Sequence, residues 1–143
     1  ELLQAVYERG TPVEPVAGPT ALAAALSVAG IRSERLIFLG FLPRGRGARR
    51  DLLGSLAESP FTLVAYESPH RLLDTLADLE HHFDRRPMAV SCELTKLYED
   101  VRRGTASELL AYFRDHPPRG EFTLVIAPPS VPLCLPWEGE EAK

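Results

Sequence analysis

Cysteine, long hydrophobic runs and internal repeats are scarce or absent in this sequence. Cys92 and Cys134 are the only cysteines among 143 residues, and their spacing matches neither a disulfide framework nor a metal-binding motif. We therefore expect two reduced thiols and no metal site. No apolar run approaches the roughly 20 residues that span a bilayer, and no signal-peptide pattern opens the chain, which predicts a cytoplasmic protein without a membrane anchor.

Lysine and an excess of positive charge are also lacking. Of the 16 basic residues only Lys96 and Lys143 are lysine, and the formal net charge is -4. A chain that is 45% hydrophobic and 25% charged is typical of a soluble globular protein. This charge balance argues against a nucleic-acid-binding protein whose whole surface is basic, so any contact with RNA must be made by a local basic patch.

The length is that of one domain, and both ends read as interrupted. A chain of 143 residues can bury roughly two thirds of its unfolded surface. It opens inside the helix-like stretch "ELLQAVYERG" without an initiator methionine, and it closes in a proline-rich, acidic stretch without periodicity. We predict a fragment of a longer protein, with one domain at residues 1–128 and a tail at 129–143.

Helix and strand patterns alternate along the chain. We predict helices at 2–7, ending before Gly10, and at 20–30, 49–58, 72–83 and 107–116. We predict strands at 13–16, 35–41, 61–66, 87–94 and 121–127, and an extended segment at 96–104. The alternation predicts an α/β fold with a mixed, mainly parallel sheet of about five strands flanked by helices. Ligands of such sheets bind beyond the carboxyl ends of the strands, which selects the loops "AGPTA", "LPRGRGARR", "YESPHR" and "CELTK".

The "YESPHR" turn places unlike polar groups at the start of a helix. Ser68 is suited to cap that helix and Pro69 to be its first residue. His70 and Arg71 would then lie in the first helical turn, where the helix dipole disfavours cations and a negative partner is needed. Two partners fit from the residues alone: Glu67 in a local ion pair, or a phosphate.

The other three loops each allow two interpretations. In "AGPTALAAAL", small side chains beside free helix amides suit either a ligand or a helix packed closely on the sheet. The loop at 42–50 interleaves arginine with glycine, which suits phosphate binding or a solvated surface loop. After the fourth strand, acids and bases alternate from Glu93 and Lys96 onward, which indicates ordinary surface pairing or catalysis.

Several of these segments together resemble one protein family. The stretches "PVAGPTALAAALSVAGI", "FLGFLPRGRGARR", "LVAYESPHRLLDTL", "ELTKLYEDVRRGT" and "PRGEFTLVIA" are similar to the ribosomal RNA small subunit methyltransferase I family, a group of tetrapyrrole-methylase-like methyltransferases. The similarity covers residues 1–128. It is carried most specifically by "YESPHR" followed at this interval by "ELTK".

The resemblance implies an activity and a domain arrangement. Members of this family transfer a methyl group from S-adenosylmethionine to the 2'-oxygen of a cytidine in 16S ribosomal RNA. They have two α/β domains with the methyl donor in the cleft between them, and they commonly form homodimers. This chain matches the second domain, so the isolated chain is expected to be inactive.

The resemblance also implies roles for individual residues. Donor-binding positions would be Gly18, Pro19, Thr20, Ala21, Tyr66, Glu67 and Leu94. Candidates for accepting the hydroxyl proton are His70, which titrates nearest neutrality, and its rivals Glu67, Glu93 and Lys96. Phosphates of the small ribosomal subunit RNA would be bound by Arg44, Arg46, Arg49, Arg50 and Arg71. Two other functions stay open: methylation of a porphyrin or corrin precursor, and a non-catalytic RNA-binding or dimerisation module.

Overall fold

The computed structural model describes residues 2–83 and 85–129, which contain five helices and five strands. The elements in chain order are α1 (Leu2–Glu8), α2 (Ala21–Ala29), β1 (Leu36–Phe41), α3 (Arg46–Ser55), β2 (Thr62–Glu67), α4 (Leu72–Phe83), β3 (Met88–Cys92), β4 (Asp100–Gly104), α5 (Ala106–Asp115) and β5 (Phe122–Ile126). No helix among these residues is long and apolar enough to cross a membrane. Cys134 and residues 130–143 of the predicted tail lie outside the described ranges.

All five strands join one mixed sheet in the order β1-β2-β5-β3-β4. The α/β class, the number of strands and the mixed sheet are confirmed, but the prediction of a mainly parallel sheet is wrong. Only β1 and β2 pair in parallel, whereas the β2–β5, β5–β3 and β3–β4 pairs are antiparallel. The short connection 93–99 cannot hold the crossover that a parallel β3–β4 pair needs, and the last strand of the chain inserts between β2 and β3.

One edge of the sheet nevertheless collects the predicted loops. Because β5 runs antiparallel to both β2 and β3, strands β1, β2 and β3 all point in the same direction. Their carboxyl ends therefore lie at one edge, which we call the carboxyl edge, and β4 and β5 begin there. The loops that follow Phe41, Glu67 and Cys92 are neighbours at this edge.

Helices cover the two faces of the sheet unequally. The buried residues of α3, α4 and α5 form the main core with one face, and the predicted stripe Leu72, Leu76, Leu79 and Phe83 on α4 is buried there. Among the described helices, α2 alone covers the other face. Its Ala25 and Ala29 pack on a smaller cluster that is completed by Val64, Ala89 and Val125. The small side chains allow the backbone of α2 to lie close to the sheet.

Predictions at three places along the chain are wrong. Residues 13–16 form no strand, since Pro15 has no N–H to donate and Val16 is 94% exposed. Helix α4 begins at Leu72, so Ser68 is not its cap and Pro69 is not its first residue. The intervening residues form a turn that ends at Arg71, whose carbonyl oxygen accepts the first bond of the helix. Helix α3 begins at Arg46, three residues earlier than predicted.

Candidate functional site

A cavity of about 460 Å³ opens at the carboxyl edge, between the start of α2 and the loop that follows β3. It is lined by Pro19, Thr20, Ala21, Ala24, Phe41, Tyr66, Glu67, Ser91, Glu93, Leu94, Thr95, Lys96, Glu121, Phe122 and Thr123. Three separate predicted loops thus contribute to one cavity. Gly18, His70 and the five predicted RNA-binding arginines are not in this lining.

The start of α2 is fixed to the sheet by hydrogen bonds at the cavity. Thr20 caps the helix, and its Oγ1 accepts a bond from the Ala23 amide at 3.1 Å. The Leu22 amide donates to the Tyr66 hydroxyl at the end of β2, at 3.2 Å. Tyr66 is held in turn by edge-on contacts with Phe38 and Phe41. The alanine-rich turn therefore packs closely on the sheet, and Pro19, Thr20 and Ala21 also line the cavity, where ligand binding stays a prediction.

Glu67 is a buried carboxylate whose oxygens already have partners. It is 1% exposed and accepts hydrogen bonds from the Ser68 amide at 2.8 Å and the Thr75 hydroxyl at 2.7 Å. Nη2 of Arg71 lies 3.3 Å from the second oxygen, Oε2. These contacts fix the turn between β2 and α4. They leave Glu67 poorly placed to accept a proton from a ligand.

Arg71 is bound inside the protein rather than offered to a phosphate. Besides pairing with Glu67, its Nη2 donates to the carbonyl oxygens of Leu42 and Pro43 at 2.9 and 3.0 Å. Its side chain is only 22% exposed. The local ion pair with Glu67 is therefore present in the structure, while binding of RNA phosphate by Arg71 stays a prediction. Its role is to tie the loop after β1 to the loop after β2.

The loop after β3 adopts an unusual backbone, held by the side chain of Glu93. Glu93 and Thr95 have positive φ angles of 48° and 65°, which non-glycine residues adopt only at some cost. The Glu93 carboxylate accepts bonds from the Lys96 ammonium at 3.0 Å and from the Glu121 amide at 3.2 Å. Gly120 leaves the space that this carboxylate fills, because a Cβ there would lie 2.5 Å from Glu93 Oε1.

The ion pair of Glu93 and Lys96 shifts both of their pKa values. The hydrogen bond from Lys96 lowers the pKa of the Glu93 carboxyl, and the bond to the Glu121 amide lowers it further. The same hydrogen bond to Glu93 raises the pKa of the Lys96 ammonium. The lowered pKa makes the Glu93 carboxylate a weaker proton acceptor, and the raised pKa keeps Lys96 protonated and unable to accept a proton at neutral pH. Lys96 is instead a cation at the cavity rim, with its side chain 60% exposed.

The arginine-rich segment converges on one buried acid, Asp78 of α4. Nη2 of Arg49 and Nε of Arg50 each lie 2.6 Å from an Asp78 oxygen, and Nε of Arg46 lies at 3.5 Å. The Arg49 side chain is only 4% exposed, so the prediction that it contacts RNA is wrong and its charge stabilises the packing of α3 on α4. Arg44 and Arg46 are exposed, and Arg50 is 38% exposed.

Sequence reasoning missed Asp78, Ser91, Gly120 and Thr123. The burial of Asp78 could have been predicted from the sequence. An acid next to the buried leucine stripe of α4 needs a basic partner on a neighbouring helix. The sequence indicates Ser91 and Thr123 less clearly. They interrupt otherwise apolar strands, but strands alone do not show which residues lie opposite each other.

A profile of the family described as Tetrapyrrole (Corrin/Porphyrin) Methylases matches residues 1–110. The chain belongs to this family. Among the curated relatives, the Ribosomal RNA small subunit methyltransferase I of Synechocystis sp. is 45% identical over 128 residues, which cover 89% of this chain and 46% of that protein. The protein of the same name from Thermotoga maritima is 40% identical over 126 residues, which cover 88% of this chain and 56% of that protein. The resemblance seen in the motifs is thereby confirmed. The chain spans about half the length of the curated relatives it matches.

Solved structures confirm the tetrapyrrole methylase fold. A cobalt precorrin-4 methyltransferase superposes with a TM-score of 0.65 at 18% identity, covering 87% of this chain and 56% of that one. A uroporphyrin-III C-methyl transferase from Thermus thermophilus, complexed with S-adenyl homocysteine, gives a TM-score of 0.58 at 20% identity and covers 86% and 56%. At these identities the likeness concerns the fold alone. The assignment of this chain to the second domain stays a prediction.

Proposed function

We propose that this chain forms one wall of the donor cleft of a methyltransferase that methylates the 2'-oxygen of a cytidine in 16S ribosomal RNA. The observation that carries the proposal is the single cavity formed by the "AGPTA", "YESPHR" and "CELTK" loops. These are the segments through which the chain resembles proteins named ribosomal RNA small subunit methyltransferase I. The cytoplasmic location and the homodimer are part of the same proposal, and we expect the chain alone to be inactive.

The cavity suits S-adenosylmethionine in polarity and charge. Its lining combines apolar groups, including Leu94, with hydroxyls, and its charged groups are three carboxylates and one ammonium. An acidic lining favours a donor whose sulfonium centre is cationic. Ser91, buried in the lining, has a hydroxyl oxygen without a hydrogen-bond partner in the described part of the chain, as expected where a polar ligand binds. The donor would supply the methyl group.

The residues of this chain would act chiefly by holding the reactants. Transfer to a ribose oxygen needs the oxygen in line with the methyl group, and fixed orientation contributes up to roughly 7–11 kcal/mol to such reactions. Of the four candidate bases, Glu67 has its oxygens bound, Glu93 and Lys96 are ion-paired, and His70 lies outside the lining. We therefore assign Lys96 the role of a cation that stabilises the 2'-oxyanion formed when the ribose hydroxyl loses its proton to solvent water; this oxyanion then attacks the methyl group.

Replacing Lys96 with alanine should lower kcat/KM of the full-length protein by about 10- to 100-fold, since a charge at the reacting oxygen is lost. Lys96→Arg should retain more activity, because it keeps the charge. Methyl transfer to small ribosomal subunits is the measurement. Arg102→Ala, which removes an exposed ion pair with Asp100 outside the cavity, is the matched control. Equal losses in the Lys96→Ala and Arg102→Ala proteins would contradict the assignment.

The RNA contact would be made by the exposed part of the arginine-rich segment. Arg44 directly follows Pro43, whose carbonyl oxygen accepts a hydrogen bond from Arg71, and the Arg46 side chain is 69% exposed. Three arginines around the single carboxylate of Asp78 leave this segment with net positive charge. We propose that Arg44, Arg46 and the partly exposed Arg50 bind phosphates beside the cavity.

The double variant Arg44→Ala, Arg46→Ala should weaken RNA binding and reduce its dependence on salt. Each lost phosphate contact should lower the slope of log K against log salt concentration by about 1. Binding of small-subunit RNA to the full-length protein would be titrated between low and moderate salt. Arg32→Ala removes an arginine that is 78% exposed and precedes β1, at the opposite edge of the sheet, and should leave the slope unchanged. Equal slopes for all three proteins would refute the proposed surface.

The substrate itself can be tested directly. The full-length protein would be incubated with labelled S-adenosylmethionine and either unmethylated small ribosomal subunits or a uroporphyrinogen-type macrocycle. We expect label only in the RNA, at the 2'-oxygen of one cytidine. Label only in the macrocycle would replace our proposal by tetrapyrrole methylation, and label in neither would favour a non-catalytic RNA-binding or dimerisation module.

A further inference from the structure

A second cavity, of about 560 Å³, opens at the carboxyl edge beside the first. Its lining comes from the connection between β3 and β4 and from the segment that joins α5 to β5, and it shares Glu93 and Phe122 with the first cavity. Ser91 and Cys92 are consecutive on β3, so their side chains project to opposite faces of the sheet. The first cavity, with Ser91, therefore lies on the face that α2 covers, and the second, with Cys92, lies on the face that α5 covers. Of the predicted site residues, only Glu93 lines the second cavity.

Rings form much of the wall of this second cavity. They belong to Tyr98, Tyr112, Phe113, His116 and Phe122. The His116 imidazole is stacked on the Tyr112 ring, with 4.2 Å between the ring centroids and 11° between the ring planes. The Tyr112 carbonyl oxygen accepts hydrogen bonds from the His116 amide and from its Nδ1, both at 3.0 Å. Because His116 is exposed, this fixed pair of rings gives the cavity a flat surface on which another ring can stack.

Tyr98 adds a third ring, which the fold does not bury. It is 79% exposed and belongs to the loop whose backbone is held by Glu93. A single exposed tyrosine is common on protein surfaces and needs no functional explanation. Here, however, Tyr98 lines the same cavity as the stacked pair Tyr112 and His116. Exposed aromatic rings gathered at one cavity are typical of sites that bind planar ligands by stacking.

The charges of the second cavity favour an anionic ligand. Its two carboxylates are already paired, since Glu93 is held by the ammonium of its own loop and Asp100 accepts a hydrogen bond from Nε of Arg102 at 2.8 Å. Burial raises the pKa of the Cys92 thiol, which stays neutral and donates to the Arg119 carbonyl oxygen. The guanidinium of Arg119 is exposed and has no ion pair within residues 2–83 and 85–129. With its partners counted, the cavity therefore carries one positive charge in excess.

We propose that the second cavity binds an unpaired nucleobase of the RNA substrate, from a nucleotide that flanks the methylated one. The base stacks on Tyr98 and on the Tyr112 and His116 pair, and Arg119 binds the adjoining phosphate. Because the two cavities open at one edge of the sheet but on opposite faces, this base is not the one that receives the methyl group. Holding a flanking base here fixes which nucleotide of the strand reaches the first cavity. The inference rests on the proposed function, because it takes RNA as the ligand.

The test combines protein variants with RNA that lacks single bases. The probe is a small-subunit RNA fragment around the cytidine labelled by the full-length protein, with each flanking nucleotide replaced in turn by an abasic one. At one flanking position, loss of the base should weaken binding to the unmodified protein by about 5- to 100-fold. Tyr98→Ala and His116→Ala should weaken binding of the intact fragment to a similar extent, and the abasic change at that position should then cost little more. Arg119→Ala should lower the slope of log K against log salt concentration by about 1.

Two matched variants show whether the ring itself is responsible. Tyr98→Phe keeps the ring and should keep the affinity, and Leu97→Ala removes the adjacent side chain, which is 88% exposed and lines neither cavity, without effect. The unfolding midpoint of Tyr98→Ala should be unchanged, because this side chain is exposed. Equal losses in Tyr98→Ala and Leu97→Ala, or no flanking position coupled to Tyr98, would overturn the inference while methylation of the RNA left the proposed function standing. Weaker self-association of Tyr98→Ala with unchanged RNA affinity would assign this surface to a second copy of the protein and also overturn it. Failure of the unmodified protein to bind or methylate the RNA would instead refute the proposed function.

Discussion

Replacing Asp78 with asparagine is expected to lower the free energy of unfolding by about 3–5 kcal/mol. Asp78 is fully buried on α4 and neutralises Arg49, whose side chain is 4% exposed. The amide would leave the guanidinium of Arg49 buried without its counter-ion. Removing one member of a buried ion pair costs more than the pair contributes, because the desolvation of the other member is no longer offset.

Urea denaturation of the full-length protein would measure this loss. The matched control is Asp51→Asn, which changes an exposed acid on α3 next to the same arginines and should stay within about 0.5 kcal/mol of the unmodified protein. Equal unfolding midpoints for the Asp78 and Asp51 variants would show that the arginine cluster does not hold α3 on α4.

The lowered pKa of Asp78 leads to a prediction for how the free energy of unfolding depends on pH. Burial raises the pKa of Asp78, but hydrogen bonds and charges from Arg50 and Arg49 together outweigh burial and hold it below the ordinary value of 3.8. A carboxyl whose pKa is lower in the folded than in the unfolded protein stabilises the fold fully at pH values above its pKa in the unfolded chain. This contribution is lost as the pH falls through its pKa in the folded protein. The unmodified protein should therefore lose stability below about pH 4, and the Asp78→Asn protein should lack that component.

The local pattern of the sequence predicted most elements but not how the strands pair. The leucine stripe on α4 and the capping glycine after α2 are local signals, and both are present in the structure. The position of β5 between β2 and β3 depends on contacts between distant segments, which no local period records. The connection at 93–99 was the one available sign that β3 and β4 form an antiparallel pair.

The candidate site was predicted where it depends on strand ends and missed where it depends on strand pairing. Thr20, Glu67 and Leu94 line one cavity because β1, β2 and β3 share a direction, even though most neighbouring pairs are antiparallel. The two hydroxyl groups of Ser91 and Thr123 could be placed together in the cavity lining only from the strand pairing, in which these residues lie opposite each other. The burial of Arg49 likewise required knowing that α3 packs on α4, since an arginine-rich segment reads as exposed from its charges alone.

Gly120→Ala is expected to destabilise the protein by about 2–4 kcal/mol and to weaken donor binding more than about tenfold. Gly120 has a φ angle of +79°, which alanine adopts at a cost, and its new Cβ would lie 2.5–2.8 Å from three atoms of the Glu93 side chain. The Glu93 carboxylate would have to leave its bonds with Lys96 and the Glu121 amide. The loop that supplies Leu94 and Lys96 to the cavity would then lose its fixed backbone.

A double-mutant cycle separates the steric effect from the backbone effect. If the clash with Glu93 dominates, Gly120→Ala should cost about 2–4 kcal/mol in the unmodified protein but only about 1 kcal/mol in a Glu93→Ala background, where backbone strain alone is left. Gly47→Ala is the control, because that glycine lies in α3, has no positive φ and has open space around a built Cβ. Equal costs of Gly120→Ala in both backgrounds would mean that Glu93 does not fill the space at Gly120. The donor affinity of the Gly120→Ala protein would then have to be explained by the φ angle alone.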